Sequence, residues 1–217
     1  MTAGIFITFE GGDGSGKTTQ IRYLKERLKR RNIPVKAIRE PGGTQLGDRL
    51  RTLLKSSDID MVAETEMLLF YASRVQLVRD VITPSLSEGE VIICDRFTDS
   101  TIAYQGYGRL IPVDKIQAIH KIVLENIKPD ITIFLDLPPS EGIKRRHLSR
   151  DRFEKGLEDQ KMMDFHGRVR QGYVELASRD PNRWLVIDAA QPRRVVSELI
   201  WQSVESKIQG LTENIVK

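Results

Sequence analysis

Residues Gly11 to Thr18 read GGDGSGKT and match the phosphate-loop pattern G-x-x-x-x-G-K-[ST]. The chemistry of such a loop lies in its backbone. Gly11, Gly12, Gly14 and Gly16, with Asp13 and Ser15 between them, let several N–H groups turn toward one spot, and the dipole of the following helix adds partial positive charge there. Phosphates bind such a spot. Lys17 can reach the outer phosphates, the Thr18 hydroxyl can hold Mg²⁺, and Thr19 continues the helix start. Three further strings carry usable groups. VIICDRF, residues 91–97, ends an apolar run in Asp95 and Arg96. A strand ending there sets a carboxylate for Mg²⁺ and a guanidinium for a phosphate at the carboxyl edge of a sheet, where open α/β folds bind ligands. REPGGT, residues 39–44, forces a turn with unusual backbone angles beside the loop. In FYASR, Phe70 and Arg74 are four residues apart and share a helix face. A ring beside a guanidinium can stack on a planar base and bond its edge, although spacing alone favours core packing for Phe70.

These groups need elements to hold them. Strand-type runs recur at IFITF, VKAI, VIIC, ITIFLDL and WLVID. Helical patterning fills 17–31, 45–56, 62–86, 113–127, 139–148, 158–179 and 193–209. The alternation predicts an α/β fold, a three-layer phosphate-loop architecture with a five-stranded parallel sheet flanked by helices. The stretch 62–86 is apolar on more than one face and reads as a central, largely buried helix. SRDRFEKGL, residues 149–157, reads as a mobile loop between two helices. A length of 217 residues suits one domain, 1–217.

Composition narrows the class. The single cysteine, Cys94, lies in an apolar run, which excludes an internal disulfide framework and favours a reducing cytoplasm. The N-terminal apolar run is too short for a signal or membrane segment, so no membrane partner is expected. A net charge of +4 comes from scattered basic residues rather than a tail, so small polyphosphates explain it without nucleic acid. An N-K-x-D string for guanine is absent, and NIKPD at 126–130 has the wrong spacing, which argues against a GTP switch. A kinase for another nucleoside monophosphate, or a regulatory or nucleic-acid-binding ATPase, remains as an alternative.

Taken together, FEGGDGSGKTTQ, REPGGTQL, FYASRVQLV and DRFTDSTIAYQG closely resemble, in order and spacing, the bacterial type of the thymidylate kinase family. The resemblance runs over nearly the whole chain. It implies ATP as donor with Mg²⁺, dTMP as acceptor, and a homodimer. It also implies roles at matching positions. Phe70 would stack on thymine and Arg74 bond its edge, with Thr101 and Gln105 completing base recognition. Tyr104 would lie near the deoxyribose. Arg96 would clamp the acceptor phosphate with Arg51 and Glu40 nearby, and Asp13 and Asp95 would place Mg²⁺ and its waters. Eukaryotic-type members carry an arginine in the loop where this chain has Gly14, and bacterial-type members supply that charge from a lid. Here a lid at about 145–157 offers Arg145, Arg146, Arg150 and Arg152, of which Arg150 or Arg152 is favoured.

Overall fold

The computed structural model describes residues 4–56, 58–124, 127–148 and 160–213. β-Branched and aromatic residues dominate the five apolar runs, and each run forms a strand. These are β1 (Ile5–Glu10), β2 (Val35–Arg39), β3 (Val91–Asp95), β4 (Ile131–Asp136) and β5 (Trp184–Asp188). All pair in parallel in the order β2-β3-β1-β4-β5. The chain therefore turns to one side of β1 for β2 and β3, and to the other for β4 and β5. That reversal leaves a crevice over the carboxyl end of β1. Phe9 pairs with Asp95, so the turns after β1 and β3 open on the same edge.

Side chains alternate across a strand, and the helices cover both faces. Ile5, Ile7 and Phe9 face Ile21, Leu24 and Leu28 of α1 (Lys17–Arg30) and Val196, Ile200 and Trp201 of α9 (Arg193–Glu213). On the opposite face, Phe6 packs with Leu77, Ile82 and Phe97. Phe134 and Trp184 pack there with Met67, Ile116 and Tyr173, from α3 (Ala63–Leu77), α6 (Val113–Val123) and α8 (Gln160–Arg179). The result is the expected three layers. The remaining α-helices are α2 (Gln45–Lys55), α4 (Thr83–Ser87), α5 (Thr98–Thr101) and α7 (Pro139–Leu148).

Two helical segments differ from the sequence reading. The stretch read as one buried helix is α3, a π-helical turn at Val78–Ile82, and α4. Pro84 has no N–H to give the preceding turn and its ring crowds it, which explains the local widening. The helix is not buried all round: Leu68 is 53% and Val75 37% exposed. Residues 98–108, for which periodicity predicts no element, form α5 and a π-helical continuation, Ile102–Gly108. Ser100, Thr101 and Gln105 are buried beside Ile102 and Ala103, so burial on several sides erases any amphipathic stripe. Among the described residues no helix is long and apolar enough to cross a membrane.

Candidate active site

The phosphate loop leaves β1 and enters α1 through Gly16, which caps the helix at φ 94° in the left-handed region. Lys17 is buried at 7% exposure, and its Nζ donates to the carbonyls of Gly11 (3.0 Å) and Gly12 (2.9 Å). Burial, reinforced by the Arg96 charge, pushes the ammonium down to about 8. Arg96 donates from Nη1 to the same Gly11 carbonyl (3.1 Å) and from Nη2 to Asp13 Oδ1 (2.7 Å). Two cations thus converge on one carbonyl, and an arriving anion would relieve their repulsion. Ser15 and Gln20 are buried, while Thr18 is exposed and Thr19 half-buried.

Asp95 ends β3 with its Oδ1 buried and without a hydrogen-bond partner among the described residues. Arg96 follows at φ 72°, a strained angle for a side chain of this size. Just after the neighbouring strand β2, the Glu40 N–H donates to the Asp95 carbonyl (3.0 Å), and the Glu40–Pro41 peptide is cis. The turn angles are as unusual as the sequence predicts, with φ 129° at Gly42 and 83° at Gly43. Arg51 donates to the Pro41 carbonyl (3.0 Å). Glu40 is buried, and its Oε2 accepts from Arg74 Nε at 2.6 Å. Arg74 also donates to Thr101 Oγ1 (2.9 Å) and the Phe97 carbonyl (3.1 Å).

These elements wall a cleft of about 1420 Å³. That exceeds the roughly 300–1,000 Å³ typical of a site for one small molecule. Its wall includes the loop from Asp13 to Thr19, then Glu40, Arg51, Phe70, Asp95 and Arg96. Arg39, Lys55, Arg145 and Arg193 line it as well, so cations outnumber Asp13, Glu40 and Asp95 on the described wall. Such a basic enclosure suits polyanions. Phe70 is half-buried on this wall and not in the core, contrary to what spacing alone favours. Arg74, Thr101 and Gln105 lie buried behind it. Gln105 donates to Glu66 Oε1 (2.7 Å), and the Tyr104 ring lies under the Arg96 guanidinium at 4.8 Å. Of the expected lid, residues 145–148 form the last turn of α7, where Arg145 donates to the Ala189 carbonyl (3.0 Å). Arg150 and Arg152 lie outside the described residues, as does the side chain of Arg146.

A phosphate-loop cleft fits many activities, so the fold alone does not choose among them. Residues 9–200 match the family model described as thymidylate kinase. The chain belongs to the thymidylate kinase family. Among its relatives is a thymidylate kinase of Caldanaerobacter subterraneus subsp. tengcongensis, 41% identical over 95% of this chain and 98% of that protein. Another, from Deinococcus radiodurans, is 42% identical over 95% and 99%, and one from Bacillus pumilus is 38% identical over 95% and 98%.

Some residues of this thymidylate kinase site escape the sequence reading. Glu10, the last residue of β1, is fully buried. It accepts from the Phe97 N–H (2.8 Å), Ser100 Oγ (2.5 Å) and Tyr173 OH (2.8 Å). Burial, reinforced by Asp99, pushes its carboxyl up to about 7 against those hydrogen bonds. One signal was available. Glu10 has the parity of Phe6 and Thr8, so it must point into the layer opposite α1. Asp136, at the end of β4, holds Arg170 in two hydrogen bonds (2.7 and 2.9 Å), and Arg170 lines a small pocket together with Gly12 and Asp13 of the loop.

Among the described residues no three His, Cys, Asp or Glu side chains converge as a self-contained metal site. Magnesium does not require one, since it takes one or two carboxylates together with substrate phosphates. The unpartnered Asp95 Oδ1, with Asp13 and the exposed Thr18 on the same wall, fits that demand.

Proposed function

We propose that this chain transfers the γ-phosphoryl group of ATP to the 5′-phosphate of dTMP, reversibly, giving ADP and dTDP. An acceptor phosphate oxygen forms the new bond to phosphorus as the bond to the β–γ bridging oxygen breaks, and ADP leaves with that electron pair. The acceptor oxygen is already ionised near neutral pH, so no general base is needed. The protein's task is positioning and charge neutralisation. The loop amides and Lys17 hold the donor phosphates, and Arg96 holds the acceptor phosphate with Arg51 and Glu40 beside it. When bound, Mg²⁺ would neutralise charge on the donor phosphates, and Thr18, Asp13 and Asp95 are the residues that would hold it and its waters.

Base recognition falls to the far end of the cleft. Phe70 offers a ring face, with Tyr104 near the sugar. Arg74 spends three of its five N–H donors on Glu40, Thr101 and Phe97, leaving two for a base edge beside Phe70. Thr101 and Gln105 complete that end. A lid arginine, Arg150 or Arg152, closes over the transferring group. We also propose a homodimer joined through the outer stripe of α3, where exposed Leu68 and Val75 are seven residues apart, together with Ile122 of α6. Sedimentation at a monomer mass would remove that part.

The observation that carries the reading is the convergence of Lys17 and Arg96 on Gly11 in a basic cleft that also presents Phe70. Coupled turnover with ATP and Mg²⁺ across dTMP, dUMP, UMP, CMP and GMP tests it. Strong preference for dTMP is expected. A different preferred acceptor, or hydrolysis stimulated only by DNA, would replace it.

A further inference from the structure

We propose that Glu10 is a positioning residue for acceptor binding, fixing the Arg96 guanidinium through the hydroxyls of Ser100 and Tyr173. The proposal rests on the reading of Arg96 as the acceptor-phosphate clamp. It begins from a carboxyl group in a costly place. A carboxyl group at the end of a central strand, with no exposed surface, is unfavourable unless its hydrogen bonds serve something, and an apolar residue would fill the space as well.

What those bonds serve is traceable. Ser100 Oγ and Tyr173 OH both donate to Glu10 Oε2, at 2.5 and 2.8 Å. Each hydroxyl has one proton and the two oxygens lie 2.9 Å apart, so when ionised Glu10 takes both protons the oxygens face outward as acceptors. The donor they face is Arg96 Nη1, 3.3 Å from Tyr173 OH and 3.4 Å from Ser100 Oγ; one of its two N–H groups goes to the Gly11 carbonyl (3.1 Å) and the two hydroxyl oxygens share the other. Glu10 Oε1 meanwhile binds the Phe97 N–H (2.8 Å), which anchors the residue after Arg96, and the Arg96 N–H is held by the Phe9 carbonyl (3.0 Å). A large residue at φ 72° persists only where its surroundings over-determine it. Glu10 secures both the strained backbone and the fork that it carries. Without it, the guanidinium would be drawn toward Asp13, its partner at 2.7 Å on the open side. Three elements meet in this arrangement: β1, α5 and α8.

The test is a double-mutant cycle on the full chain. Glu10→Gln and Tyr173→Phe are made alone and in an Arg96→Lys background, with dissociation constants for dTMP and for ATP read by calorimetry and folding checked by thermal melts. Each single change is expected to weaken dTMP about tenfold, the loss of one charge-assisted hydrogen bond, and to change ATP less than about threefold. In the Arg96→Lys background Glu10→Gln should add less than about twofold, because the fork it orients is gone. A purely structural Glu10 would lower the melting temperature and leave dTMP affinity intact. That result, or a full tenfold loss repeated in the lysine background, overturns the proposal. Wild-type dTMP affinity in Arg96→Lys alone would instead remove the Arg96 reading, and the proposal with it. If Glu10→Gln does not fold, Tyr173→Phe decides, since it deletes one bridging oxygen and keeps the ring stacked on Phe134 at 5.2 Å.

Discussion

Gly14 of the phosphate loop and Gly142 of α7 touch backbone to backbone. A β-carbon on Gly14 would lie 2.2 Å from the Gly142 carbonyl oxygen, and one on Gly142 would lie 2.4 Å from the Asp13 carbonyl oxygen. Gly14 also takes φ 77°, which disfavours any side chain there. The loop is thus docked on the helix that leads into the expected lid, and an arginine at position 14 would push the two apart. Gly142→Ala keeps α-helical propensity but inserts a methyl group into that contact, at a cost of about 1–3 kcal/mol. The expected outcome is a KM for ATP raised about tenfold or more with a smaller effect on dTMP, read from steady-state kinetics. Gly14→Arg should lose activity and not supply a loop arginine. Unchanged ATP kinetics in Gly142→Ala would mean that α7 and the loop move independently.

Lys17 is held in place although its burial disfavours the charge. A group in that position serves the ligand more than the fold. Lys17→Ala should therefore lower kcat by about 10³, the scale of removing one charge-stabilising donor, while the melting temperature stays near that of the wild type. Turnover near the wild-type rate in a folded variant would remove Lys17 from the phosphates.

Arg74 has the opposite profile. It is buried at 1% exposure against a carboxyl at 2% whose pKa burial pushes up to about 7, so Arg74→Ala leaves that carboxyl buried without its partner. A destabilisation of about 1–3 kcal/mol is expected, measured by urea unfolding near pH 7. Adding Glu40→Gln should recover part of it. Below the melting transition, dTMP should weaken far more than ATP, and equal losses for both nucleotides would argue against base recognition at this residue.

For the lid, Arg150→Ala and Arg152→Ala are each made and assayed. One of them should lower kcat with little change in the KM for dTMP, as an interaction made mainly in the transition state does. If neither does, Arg145 or Arg146 takes the role, and Arg145 begins from a hydrogen bond to the Ala189 carbonyl.

How far the site was legible follows from how each residue is used. The loop, Asp95 and Arg96 were readable because backbone geometry and strand ends leave fixed spacings in the sequence. The three central strands, β1, β3 and β4, were readable because a sheet covered on both faces leaves continuous apolar runs. Residues 98–108 were not, because their polar side chains face a buried network and carry no helical period. Glu10 was passed over because a carboxylate closing a strand ordinarily reads as its solvated end. The three hydrogen bonds that hold it come from Phe97, from Ser100 of α5 and from Tyr173 of α8, all distant in sequence. Leu68 and Val75 misled in the other direction, since an apolar helix face reads the same whether a core or a second subunit covers it.

His120 gives the pH prediction. Its ring sits edge-on to Tyr71 at 5.2 Å, its Nε2 is buried without a hydrogen-bond partner among the described residues, and burial, with the nearby Arg74 charge, pushes its pKa down to about 3. Between the ordinary value of 6.5 and that depressed value the unfolded chain binds the extra proton. The stability contributed is therefore complete above pH 6.5 and drains away as pH falls toward 3. At pH 5 the loss is about 2 kcal/mol. Glu10 works in reverse: held up at about 7 from 4.5, it stabilises fully below 4.5 and loses that contribution as pH rises through 7. Between 4.5 and 6.5 the Glu10 slope opposes that of His120, and Glu40, likewise raised by burial from 4.5 to about 7, adds to the Glu10 side. His120→Phe keeps the aromatic contact and removes one slope, so its stability relative to wild type should grow by about 2 kcal/mol between pH 7.5 and pH 5 in urea unfolding. Parallel wild-type and variant profiles across that range would show that His120 titrates freely in the folded protein.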